Sequence, residues 1–297
     1  MAISNSKFKI ILALSGLFLL GWGLSSYLSA RYLVRPNPSD FNNITQLDGF
    51  AVEDLSIPSA DGLMISSCFI PHHHQEGISK AVILLSGIRG NRLGQLERAK
   101  FYLNQGYAVL LPDLRGTGKS EGNAISFGWH EQKDLVASIA FLRDSGFERI
   151  GADGQSLGAA TIVYACSATD LLDFIILESC YDNITHAFNN RIAKFKIPLF
   201  LFQPVIYFTE QQIAASRESL SPVALIRQVH SPSLILAGDQ ESQIPVPETE
   251  QLFRNSGAEL KRLHFFQGGK HEDLYRRFPE EFEKVVIEFL KEIEKTK

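Results

Sequence analysis

Two hydrophobic rhythms alternate along the chain. Short apolar, β-branched runs at residues 52–57, 63–70, 81–85, 107–111, 150–152, 174–177, 234–237 and 263–266 have the length and composition of strands. From the third run onward they are separated by stretches with helical spacing, among them residues 93–104 and 130–143. This interleaving predicts an α/β fold: a mostly parallel eight-stranded sheet with helices on both faces. The first two runs, joined by Ala60-Asp61-Gly62, predict an antiparallel hairpin at one edge. Residues 279–297 carry Phe282, Val285, Val286, Phe289, Leu290 and Ile293 at helical spacing between Glu and Lys, which predicts an amphipathic helix lying on the sheet. No internal repeat is present.

Two segments break the rhythm. Residues 10–30 hold no charge, with Lys7 and Lys9 before them and Arg31 and Arg35 after. As a helix rising about 1.5 Å per residue, this run spans roughly 30 Å, the hydrocarbon thickness of a bilayer. It exceeds the apolar stretch of a cleaved signal peptide, and Leu28-Ser29-Ala30 puts a bulky residue where cleavage needs a small one. Residues 1–30 therefore read as an uncleaved transmembrane signal-anchor, and residues 31–48, with the stretch RPNPSDFNN, as a linker. Residues 49–297 form the body. The flanking charges nearly balance, and the expected orientation places the body on the extracytoplasmic side of a single-pass membrane protein. The second break is residues 181–227, too long for one crossover helix, which read as a helical cap. Its centre, residues 197–208, is uncharged and bulky but too short to span a bilayer. Ordinary cap packing, an acyl-pocket wall and a lipid-facing surface are all compatible with it.

Composition narrows the function classes. With 45% hydrophobic and 21% charged residues and a net charge of −4, the chain has no basic field to attract nucleic acid and too much apolar content for disorder. Cys68, Cys166 and Cys180 fit neither a disulfide framework nor a metal-binding spacing and read as buried thiols. The triplet His72-His73-His74 reads as a solvated turn, so no metal and no cofactor is expected. Gly116-Thr117-Gly118-Lys119-Ser120 imitates a phosphate-binding loop, but the first glycine of that motif is replaced by Asp113.

The stretch that carries chemistry is Gly154-Gln155-Ser156-Leu157-Gly158, between a strand and the helical run 157–166. A serine hydroxyl needs a base to become a nucleophile and fixed donors to hold the oxyanion. Gly-x-Ser-x-Gly at a strand-to-helix turn exposes the serine above the sheet, with glycines that permit the tight turn. Partners in the order Ser, acid, His are available on loops after later strands: Gly238-Asp239-Gln240-Glu241 after the seventh and Gly269-Lys270-His271 after the eighth.

On these residues the chain resembles the α/β-hydrolase superfamily, in particular its membrane-anchored, monoglyceride-lipase-like and serine-aminopeptidase-like members, from about residue 52 to the C-terminus. The resemblance also rests on Asp113-Leu114-Arg115-Gly116-Thr117-Gly118-Lys119-Ser120 after the fourth strand. It implies Ser156 as nucleophile, His271 as base and Glu241 as the acid, at the position where the family has Asp; Asp239 is the alternative acid. It implies the backbone N–H groups of Ile88 and Leu157 as the oxyanion hole. Two departures stand out. The oxyanion loop reads Ser86-Gly87 in place of His-Gly, and Asp153 occupies a strand end that is usually apolar. The expected activity is hydrolysis of carboxylic esters, of lipid or acyl-glycerol type, with the membrane engaged through residues 10–30. Thioesterase and peptidase chemistry use the same triad, and a catalytically inactive anchored scaffold is the non-enzymatic alternative.

Overall fold

The computed structural model describes residues 5–72, 79–193, 196 and 198–296. His73, His74 and Ile197 lie outside the described residues. One sheet holds eight strands: β1 (Glu53–Pro58), β2 (Met64–Ile70), β3 (Lys80–Leu85), β4 (Ala108–Pro112), β5 (Arg149–Gln155), β6 (Phe174–Glu178), β7 (Ser233–Gly238) and β8 (Lys261–Phe266). Their order across the sheet is β1-β2-β4-β3-β5-β6-β7-β8. Only the β1–β2 and β2–β4 pairings are antiparallel, so the hairpin occupies one edge and the other six strands run parallel.

Parallel strands need cover on both faces because both faces are apolar. On one face lie α3 (Gln132–Asp144) and α4 (Leu157–Ala168), packed on Ile83, Leu110 and Ile175. On the other lie α2 (Leu96–Asn104) and the C-terminal helix (Pro279–Thr296), which seats Phe282, Val286 and Phe289 on Val82, Ile176 and Leu236. The charged residues of the Asp113–Ser120 loop fasten it to the body. Asp113 accepts hydrogen bonds from the N–H groups of Arg92 (2.8 Å) and Lys119 (3.0 Å), Arg115 is paired with Asp61 and Asp134, and Ser120 Oγ donates to Asp113 O. The three cysteines are free and buried.

The N-terminal helix α1 runs over Asn5–Val34, past the expected Ala30 end, and its stretch Lys9–Val34 is long and apolar enough to cross a membrane. Most of its apolar side chains are exposed, Tyr27, Leu28 and Tyr32 among them, but one face of its last turns, Ser26, Ala30 and Val34, is buried against the body. The polar stretch that follows differs from a loose tether. The Asn37 and Ser39 N–H groups donate to the carbonyls of Gly116 and Gly118, and Asn91 Nδ2 donates to Ser39 Oγ. Backbone donors that find acceptors on a neighbouring loop do not stay solvated, which is why a Pro- and Asn-rich composition here produces a docked strap. The cap contains α5 (Ile184–Ala193), a 3₁₀ turn (Leu199–Phe202) and α6 (Gln203–Ile213). It clasps α1: Trp22 Nε1 donates to the Leu201 carbonyl at 3.1 Å, and Tyr27 meets Phe208 edge to face.

Candidate active site

Ser156 occupies the turn between β5 and α4 with φ of +51°, a left-handed value that a non-glycine residue adopts only when its surroundings force it. The forcing comes from close packing. A Cβ on Gly154 would come within 2.5 Å of the Gly158 carbonyl carbon, and one on Gly158 within 2.6 Å of the Leu85 carbonyl oxygen. With glycine at both places, α4 starts hard against β3 and β5.

Ser156 Oγ lies 3.3 Å from His271 Nε2, and His271 Nδ1 is hydrogen-bonded to Glu241 Oε1. Glu241 is buried, and its second oxygen accepts from Ser179 Oγ at 2.8 Å. Asp239 does something else: it accepts the Gly268 N–H at 2.6 Å and so shapes the turn that leads to His271. The two loops are held edge to edge, since Gln240 N–H donates to the Gly269 carbonyl and a Cβ on Gly238 would sit 2.2 Å from that oxygen. The structure therefore brings Ser156, Glu241 and His271 together and leaves Asp239 outside the chain of contacts.

Ile88 and Leu157 line a cavity of about 210 Å³ with Ser156, Phe127 and Tyr181. Neither N–H donates a hydrogen bond among the described residues, the state required of donors reserved for a developing oxyanion. The unusual Ser86-Gly87 loop takes its support from the N-terminal segment. Arg89, at φ +60°, donates through Nη2 to the carbonyls of Tyr32 (2.7 Å) and Leu33 (3.2 Å), and Asn37 Nδ2 donates to the Arg89 carbonyl. Cations suit a helix C-terminus because its last carbonyls are unpaired.

Asp153 has a partner that no local sequence signal announces. Arg98, buried on α2, reaches Asp153 Oδ1 (2.9 Å), Glu178 Oε2 (2.6 Å) and Asp273 Oδ1 (3.0 Å), while the Tyr102 hydroxyl donates to Asp153 Oδ2. Glu178 also accepts from Gln155 Nε2 and the Leu274 N–H. One guanidinium thus ties together the strand that leads to Ser156, the strand that ends just before Ser179 and the loop of His271. Three carboxyls around one cation cannot all ionise at low cost, and burial raises Asp153 and pushes Glu178 up to about 7. The unfolded chain ionises Glu178 near its ordinary 4.5, so the folded state holds the extra proton between these values. The stability this group contributes is complete below about 4.5 and is lost as pH rises through about 7. The melting temperature of the wild type is accordingly expected to fall between about pH 5 and about pH 8, and less steeply in Glu178→Gln. Equal slopes for the two proteins in calorimetry would remove Glu178 as the cause.

Comparison with known proteins places this geometry in context. The profile of the X-Pro dipeptidyl-peptidase (S15 family) matches residues 66–195. The chain is 29% identical over 242 residues to the uncharacterised protein YqkD of Bacillus subtilis, covering 79% of this chain and 77% of that one. Among solved structures, the Pyrococcus furiosus esterase Pf2001 superposes with a TM-score of 0.73 at 24% identity, over 88% of this chain and 98% of its own. Acetyl xylan esterase 1 of Thermoanaerobacterium sp. JW/SL YS485 gives 0.66 at 17% identity, over 92% of each chain. By these likenesses the chain has the α/β-hydrolase fold, and the matched peptidase profile supports its place in the α/β-hydrolase superfamily.

Proposed function

We propose that the protein is a serine hydrolase that cleaves carboxylic esters through an acyl-enzyme. The reading rests on one observation: the Ser156 hydroxyl faces His271 Nε2 while His271 Nδ1 is engaged by the buried Glu241 carboxyl. His271 takes the Ser156 proton as Oγ attacks the ester carbonyl, and Glu241 steadies the imidazolium that forms. The N–H groups of Ile88 and Leu157 receive the oxyanion. His271 then returns the proton to the departing alkoxide, and a water deprotonated by the same imidazole releases the acid and restores Ser156.

The neighbourhood of Ser156 favours esters over peptides with a free amino terminus. Its cavity is lined by apolar side chains together with Arg89 and Arg191 and, among the described residues, by no carboxylate that could hold an ammonium. A dipeptidyl-peptidase reading, which the matched profile suggests, lacks that anchor. In the proposed arrangement residues 1–30 are the membrane anchor, residues 31–48 link it to the catalytic domain of residues 49–297 with its cap at 181–227, and the domain faces the extracytoplasmic side.

Two experiments test the assignment. A fluorophosphonate probe is expected to label the wild type and not Ser156→Ala, and labelling that survives the substitution sinks the nucleophile. Glu241→Gln is expected to lower kcat by about 10³- to 10⁴-fold, as for an acid that fixes the tautomer of its histidine. Asp239→Asn is expected to cost no more than about tenfold, through a loosened turn. The reverse ranking in p-nitrophenyl butyrate turnover would make Asp239 the acid.

A further inference from the structure

Helix α1 does more than precede the body. Together with α5 and α6 it encloses a second cavity of about 680 Å³, within the range of small-molecule sites. On the α1 side the wall recedes at Gly21, Ser25 and Ser29, small residues spaced one turn apart, and a Cβ on Gly21 would meet only open space. The opposite wall is Ile192 of α5 with Phe202, Val205 and Ile206. This groove and the Ser156 cavity share the side chains of Leu33, Phe188 and Arg191, so the two spaces adjoin. At that neck Arg191 Nη1 donates to the Ala187 carbonyl, and the apolar side chains of Leu33 and Phe188 line the passage beside it.

Depth matters as much as lining. Trp22, which holds the Leu201 carbonyl, stands eight residues before Ala30, about 12 Å along the helix axis. If residues 10–30 fill the hydrocarbon layer, the cap turn Leu199–Phe202 lies inside one leaflet. The exposure there fits: Leu199, Phe200 and Tyr207 are 41%, 66% and 53% exposed, apolar surface that water disfavours and lipid does not.

We propose that α1 is a wall of the substrate site: the groove between α1, α5 and α6 receives the acyl chain of a membrane lipid ester, entering sideways from the leaflet, with its carbonyl delivered to Ser156. The proposal rests on the reading of Ser156 as nucleophile and of α1 as a membrane helix. It differs from an ordinary acyl pocket in that the anchor itself furnishes half the wall.

The test uses the full chain in dodecyl maltoside micelles with p-nitrophenyl acetate and p-nitrophenyl laurate, read as the ratio of kcat/KM for laurate to that for acetate. Partial misfolding lowers both rates and leaves the ratio alone. The wild-type ratio is expected to exceed one, and Ser25→Trp and Gly21→Leu, which fill the groove from α1, are each expected to lower it at least about tenfold. Leu20→Trp, on an exposed position of α1 outside the groove, is expected to leave it unchanged. A wild type that prefers acetate, a ratio unmoved by both groove substitutions, or an equal fall in Leu20→Trp would overturn the proposal. Hydrolysis of both esters by Ser156→Ala at the wild-type rate would instead refute the serine-hydrolase reading beneath it.

Discussion

Ser156→Ala is expected to lower kcat for p-nitrophenyl butyrate by at least about 10⁴-fold while the folded protein survives. In the proposed mechanism, removing one oxygen deletes the atom that bonds to the acyl carbon, and the remaining groups have nothing to activate except water. The substitution is sterically gentle. Ser156 is held at φ +51° by its neighbours, and among the described residues its Oγ has a single side-chain partner in His271, so alanine loses one hydrogen bond and opens no large cavity. Ester turnover and thermal melting are to be measured on the same preparation. A fall of less than about tenfold with unchanged melting would show that Ser156 is not the nucleophile, whatever the elbow geometry suggests.

Arg98→Met is expected to be the most destabilising single substitution near the site. Methionine keeps the volume of the aliphatic stem but gives up the guanidinium over the Phe282 ring and strands Asp153 and Glu178, both buried, without their cation. Breaking a buried ion pair from one side costs about 3–5 kcal/mol, which in a domain of this size is a drop in Tm of about 6–20 °C. The same principle predicts the remedy, because a buried charge cluster replaced whole by neutral groups is often no less stable than the original. The combination Arg98→Met, Asp153→Asn, Glu178→Gln should recover at least half of the loss. Calorimetry of the two proteins decides: a single substitution that melts within about 2 °C of the wild type would mean that the cluster contributes little to stability. Ester turnover of the triple variant carries a second message. Since Arg98 bridges to Asp273, two residues beyond His271, loss of that bridge should reach kcat even when stability is restored.

The sheet was legible because each strand is a short apolar run bounded by turn residues, a signal that depends only on neighbours in sequence. β5 shows where that signal runs out. Its apolar core is Ile150 to Ala152, yet the strand continues to Gln155 through Asp153 and Gly154. Asp153 is tolerated there only because Arg98, on a different helix, faces it. A bare Gly at 151 is required because the Phe174 ring occupies the space a side chain would need. Neither condition is written near the residues it governs.

The same distinction runs through the candidate site. Ser156 and His271 announce themselves by motif, and Glu241 by counting within a loop, because each belongs to a compact local pattern. Ser179 and Arg191 do not, since their importance comes from standing opposite Glu241 and the Ser156 cavity. The docking of α1 was hidden for a further reason. A helix apolar on every side carries no stripe that points to a partner, and so its composition suggested an anchor and nothing about the groove it completes.

Arg89 makes the final connection. Its guanidinium grips the carbonyls of Tyr32 and Leu33 while its own backbone follows Ile88, the residue offered as an oxyanion donor. The first 34 residues therefore cannot be treated as a detachable leash. Trimming them to obtain a soluble domain would uncouple the loop proposed to hold a transition-state charge and open the neck at Leu33 to water. A clipped protein of that kind would be a different catalyst, with its own rate and its own preference for chain length.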